Sequence, residues 1–102
     1  MDYRDMNYEE LNKAVHERIR PGCTEILDYC KSPVLSFFIQ SDCKIGTEWN
    51  VEEKEWRAFR SIYYDDGHYY KTVEHCDKSL SRAICVAFLE GARAMDELEL
   101  DR

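Results

Sequence analysis

Apolar positions along the chain fall into two rhythms, one of three and four residues and one of two. Between Asp77 and Leu100, Leu80, Ile84, Ala87, Phe88, Gly91, Met95 and Leu98 recur at steps of three and four, the spacing of one buried helical face. Arg82, Glu90, Arg93, Asp96, Glu97 and Glu99 lie mostly off that face. Asp77 stands ahead of the run, where a carboxylate can accept from the first free backbone N–H groups and cap the helix. Gly91 lies inside the stripe and predicts the close approach of another backbone, at a cost of about 1 kcal/mol relative to alanine. One amphipathic helix cannot bury its stripe alone, so the rest of the chain is expected to be organised around this one.

The same rhythm occurs earlier. Asn7 and Glu10 have the spacing of a capping box, and Met6 with Leu11 that of a hydrophobic staple. Leu11, Ala14, Val15 and Ile19 follow as a narrow apolar stripe, stopped by Pro21-Gly22. His16 lies off the centre of that stripe and reads as a surface or boundary residue. Cys23–Lys31 is open between a short helix and a loop, and Ser32-Pro33 marks a boundary.

The rhythm of two then takes over. Leu35, Phe37 and Ile39 alternate, as do Cys43, Ile45, Thr47 and Trp49, which predicts two strands with Ser41-Asp42 as the turn between them. After a polar loop from Asn50 to Glu55, a third strand is expected. It places Trp56, Ala58, Ile62 and Tyr64 on one face, interrupted by Arg60, and Arg57, Phe59, Ser61 and Tyr63 on the other. Asp65-Asp66-Gly67-His68 predicts a tight hairpin, and Tyr69, Tyr70 and Val73 continue as a fourth strand. The expected fold is α+β. It is one domain over residues 1–102, a small antiparallel sheet of three or four strands flanked by an N-terminal and a longer C-terminal helix, both on one sheet face.

Composition narrows the chemistry. Asp plus Glu number 21 against 14 Lys plus Arg, a formal charge of −7, which disfavours general nucleic-acid binding by phosphate neutralisation. Acidic and basic residues are interspersed, so a solvated surface is a better reading than imitation of DNA. No apolar run approaches the ~20 residues of a membrane span. The first residues lack the basic start and apolar core of a secretory signal, so a cytoplasmic protein is expected. The five cysteines, Cys23, Cys30, Cys43, Cys76 and Cys85, form no CxxC pair and are expected to be free thiols, Cys85 as a small core residue. His75-Cys76 with Cys23 and Cys30 is the one conceivable zinc set, with none of the usual spacing.

The motifs also have an order. Leu11-Asn12-Lys13-Ala14-Val15, Asp28-Tyr29-Cys30-Lys31-Ser32-Pro33, Ile45-Gly46, Trp56-Arg57-Ala58 and Leu80-Ser81-Arg82-Ala83 with Phe88-Leu89 follow one another along most of the chain. In this the chain resembles the NinX-like family of small uncharacterised proteins from tailed phages and prophages of Gram-negative bacteria. It departs from the family where Ser36-Phe37-Phe38 replaces a Trp-Pro-containing segment, and from Asn50 to His75. The resemblance implies an accessory phage protein made in the bacterial cytoplasm and brings no catalytic residue with it.

No nucleophile elbow, zinc-protease motif or Gly-rich phosphate cradle is present, so an enzyme is not expected and no cofactor is implied. The aromatic hairpin is the better candidate. Trp49, Trp56, Phe59, Tyr63, Tyr64, Tyr69 and Tyr70 crowd together with arginines, and a core this small cannot bury them all on one sheet face. Arg57, Arg60, Tyr63, His68, Tyr69 and Tyr70 are therefore the candidate partner-binding residues, with Arg57 and Tyr63 facing outward. The expected activity is non-catalytic binding of a host protein, by analogy an antiviral-defence component. A sponge for a signalling nucleotide is the alternative, a small enzyme the third reading, and a homo-oligomer is compatible with either binding mode.

Overall fold

The computed structural model describes residues 2–100. It is an α+β fold with helices α1 (Tyr8–Ile19), α2 (Pro33–Cys43) and α3 (Leu80–Leu100), and strands β1 (Gly46–Asn50), β2 (Glu55–Tyr63) and β3 (Tyr69–Asp77). A single 3-10 turn, Tyr3–Asp5, precedes α1. The strands form one antiparallel sheet in the order β1-β2-β3.

Helix α1 begins where its polar start dictates. The Glu10 N–H donates to Asn7 Oδ1 at 2.8 Å, and the Asn7 N–H donates to Glu10 Oε1 at 3.2 Å, closing the capping box. Leu11 and Val15 are fully buried, while Ile19 is exposed. His16 corrects the expectation of a boundary residue: it is only 3% exposed. Its Nδ1 lies 2.9 Å from the Tyr29 hydroxyl and its Nε2 3.0 Å from the Cys23 carbonyl. Both ring nitrogens are thereby satisfied, and the histidine pins the Cys23–Lys31 segment, a loop and turn rather than a helix, onto α1.

The first expected strand is a helix. Ser32 accepts from the Leu35 N–H at 3.2 Å and Pro33 occupies the first turn, so the Ser-Pro boundary is the start of α2. Leu35 and Ile39 turn toward the core; Val34, Phe37 and Phe38 face solvent, with Phe37 60% and Phe38 59% exposed. Ser41 and Asp42 lie inside α2, and the chain reverses at Lys44 in the left-handed region (φ 54). The sheet consequently has three strands.

Helix α3 is the hub. Ala83, Ile84, Cys85, Val86 and Ala87 are consecutive and all buried, so its first half is enclosed on every side. The sheet packs against one side, and α1 and α2 pack against the remainder. Further along, Ala94 and Leu98 cover Ile62, whereas Met95, expected in the stripe, is exposed. The start of α3 differs from expectation too. Ser79 Oγ accepts from the Arg82 N–H at 3.3 Å as the cap, and Asp77 ends β3, accepting from the Ser79 N–H at 2.9 Å. Asp77 also holds Arg82 at 3.0 Å and His75 at 3.3 Å.

Candidate functional site

Antiparallel register divides the residues of β2 between two faces. Ala58 and Ile62 are buried beneath α3, and Trp56 packs against the core, meeting Trp49 edge-on at 5.2 Å. The opposite face carries Arg57, Phe59, Ser61 and Tyr63 from β2, Gly46 and Glu48 from β1, and Tyr69, Thr72, Glu74 and Cys76 from β3. Tyr63 and Tyr69 are 56% and 57% exposed.

This outer face is held in place by its own contacts. Tyr63 and Tyr69 pair across the strands edge-on, ring centroids 5.9 Å apart. The Tyr69 hydroxyl meets Thr72 Oγ1 at 2.8 Å, and Ser61 and Thr72 share a 3.1 Å hydrogen bond. The far end of the Phe59 ring covers Gly46, where an added Cβ would come within 2.4 Å of it. Arg57 stacks on that ring at 4.4 Å and is ion-paired to Glu48 at 3.1 Å and to Glu74. Phe59 thus fills the space a β1 side chain would take and gives Arg57 a platform.

The candidate residues do not all share this face. Arg57, Tyr63 and Tyr69 do. His68 is at the hairpin tip, where its Nδ1 sits 2.8 Å from Asp66 Oδ2 and Gly67 takes φ +91°. Tyr70 is on the helix side: a register shift opposite Ile62 and Tyr63 turns it inward, its hydroxyl donates to Glu97 at 3.1 Å, and its ring meets Tyr64. Lys71 joins the same carboxylate at 3.0 Å, and these two donors, the lysine first, hold Glu97 below the usual carboxylate range. Arg60 is also on the helix side. Its stem occupies the niche left by Gly91, where an alanine Cβ would lie 3.0 Å from Arg60 Cδ. The close approach expected at Gly91 is therefore made by a side chain and not by a backbone.

The conceivable zinc set is dispersed. Cys23 is exposed in the loop and Cys76 is on the outer face, while His75 points inward to Asp77. Cys30 is buried beside Cys85, whose thiol is pushed far up by hydrogen bonding to Cys30 and by burial. Among the described residues no group of three or more His, Cys, Asp or Glu could hold a metal ion. All five thiols are free.

Two surfaces escaped the sequence. One is the apolar stripe of α2, hidden because its residues satisfied a strand pattern equally well. The other is a groove of about 470 Å³ where β1 starts, lined by Cys43, Lys44, Gly46, Phe59, Arg60, Ser61 and Tyr63. Nothing in the alternation of β2 foretells it, because it depends on where β1 begins.

The fold and this surface define a small α+β domain with one sheet face left open. Compared with known proteins, the chain matches no family model, no curated protein and no solved structure. Among the described residues no helix is long and apolar enough to cross a membrane.

Proposed function

We propose that this chain is a non-catalytic protein-binding module whose contact surface is the outer sheet face. Its single strongest support is that Tyr63 and Tyr69, braced by their neighbours and half exposed, stand with Arg57 and Phe59 on a face that no other element covers among the described residues. Tyrosine and arginine held in place by neighbours are the residue types that anchor protein interfaces, because little side-chain entropy is lost on contact. Joined to the resemblance to phage accessory proteins, the reading is a phage-encoded protein in the host cytoplasm that occupies a host factor, an antiviral-defence protein being the target class.

The charge of the face favours a protein over a nucleotide. Arg57 already has two carboxylates, Glu48 and Glu74, and an incoming phosphate would meet both. Sequestration of a signalling nucleotide therefore finds no support on this face.

Arg57→Ala combined with Tyr63→Ala tests the reading in a phage-infection assay. Truncating an interface anchor costs about 2 kcal/mol or more of binding, so the folded double variant should lose its effect on infection. Full activity from a variant shown by circular dichroism to be folded removes the outer face as the site.

A further inference from the structure

The groove at the start of β1 has a free strand edge. The β1 ladder begins at Gly46 opposite Phe59, yet β2 continues to Tyr63 with only β3 beside it. The direction of the free groups follows from the far edge of the sheet. Arg4 takes the Glu74 carbonyl at 3.1 Å from outside β3, so Phe59, the partner of Glu74, directs its backbone groups toward β1. Ser61, two residues on, points its N–H and C=O to the same side, where among the described residues no strand stands. Free edges of this kind are templates for a further strand unless blocked.

The groove is also positively charged. Arg60 is half buried, a costly place for a guanidinium, and among the described residues no carboxylate or carbonyl accepts from it. The molecule keeps a glycine in the middle of α3 to make room for this arginine: an alanine Cβ at position 91 would stand 3.1 Å from Arg60 Nη1. Lys44 lines the other wall from the left-handed turn, also without an ion partner among the described residues. Asp42 and Arg60 both act on the Cys43 thiol nearby, and among the described residues Asp42 forms no ion pair with either cation.

We propose that this edge takes up an acidic, extended segment of a protein partner as an added strand in line with β1. Backbone groups of the segment pair with Ser61, and its carboxylates meet Arg60 and Lys44. The edge selects an extended chain over a helix, and the two cations select acidic over basic side chains. The inference rests on the reading of the chain as a protein-binding module and names the chemistry of the partner.

The test uses two fluorescein-labelled hexapeptides, (Val-Glu)3 and (Val-Lys)3, with the whole protein. Titration by anisotropy and by amide chemical shifts should show binding of (Val-Glu)3 only, with the Ser61 amide among the most perturbed. Arg60→Gln and Lys44→Glu should each weaken binding about tenfold, the scale of one charge-assisted hydrogen bond. A (Val-Glu)3 peptide N-methylated at alternate amides should fail to bind. Equal binding of both peptides, no binding of either, or unchanged binding by a folded Arg60→Gln variant overturns the proposal. So does ATP shifting the Ser61 amide when (Val-Glu)3 does not. Failure of the peptide to bind leaves the infection result for Arg57→Ala with Tyr63→Ala untouched, so the two readings fail separately.

Discussion

A glycine in mid-helix costs about 1 kcal/mol against alanine, and at Gly91 the arginine lying across it is the structural reason. Gly91→Ala should regain the helix propensity and lose it again by crowding Arg60, whose Cδ would stand 3.0 Å from the new Cβ. Its net effect on stability should stay within about 1 kcal/mol, whereas in an Arg60→Ala background the same change should stabilise by about 1 kcal/mol. Urea denaturation of the four proteins of this cycle measures the difference, and strict additivity would show that Arg60 does not occupy the niche. At His75 the lever is pH. Burial above all holds its pKa below the ordinary 6.5, with Arg4 and Arg82 also opposing its protonation and Asp77 pulling the other way. The unfolded chain therefore takes up the proton first, and stability is complete above pH 6.5 and falls as the pH drops through that value. His75→Gln should flatten the stability curve in that window. The loss at still lower pH should remain, where Glu97 and Asp96 give up the stabilisation that Lys71 and Arg18 provide. The sequence made the two faces of β2 legible, because a side-chain period of two leaves no choice once Ala58 and Ile62 are assigned inward. The Arg60–Gly91 contact was not legible: it joins a strand to a helix across the core, and no local pattern records which arginine a helix glycine accommodates.

Helix α2 shows how a correct pattern can support the wrong element. Leu35, Phe37 and Ile39 alternate, but Leu35 and Ile39 are also four apart, and the run is apolar enough for either period. The deciding signal was at its start, where Ser32 and Pro33 form an N-cap and a first helical position. Ser32→Ala should accordingly cost about 1 kcal/mol, measured as a lower urea midpoint with unchanged slope; no change would mean that the cap is not what holds this end. Phe37→Ser should alter stability by less than about 0.5 kcal/mol, since the ring is largely in solvent. A strand reading would have placed Phe37 on the same face as Leu35 and Ile39 and predicted a severe loss. Helices α1 and α3 were readable because caps, staple and stripe agree with one another, and the hairpin because Gly67 takes the positive φ its turn requires. The added strand count came solely from α2.

Across the whole molecule, Arg82 ties three distant parts together. Its Nε pairs with Asp77 at 3.0 Å, and its Nη2 donates to the Met6 carbonyl at 2.6 Å and the Arg4 carbonyl at 3.3 Å. The end of β3, the start of α3 and the segment before α1 thereby share one side chain. Arg82→Met keeps the stem and removes the donors, leaving Asp77 and two carbonyls short of partners. It should cost about 2–3 kcal/mol, with faster amide exchange in residues 3–6. Loss of stability without that exchange would place the effect on Asp77 alone.

The position of α3 in the chain has a consequence for how the protein is made. Each element packed on the hub is translated before it. Until the ribosome has delivered the residues after Leu80, the cluster that holds Leu11, Val15, Ile39 and Ala58 lacks Ala83, Ile84, Cys85, Val86, Ala87 and Leu89. At roughly 5–20 residues per second this interval lasts on the order of seconds. During it the nascent chain exposes apolar residues and strands that lack their covering helix. Assembly is therefore a late event: the helix arrives among partners already waiting, and a message truncated ahead of Leu80 should yield only chains that chaperones hold and proteases remove.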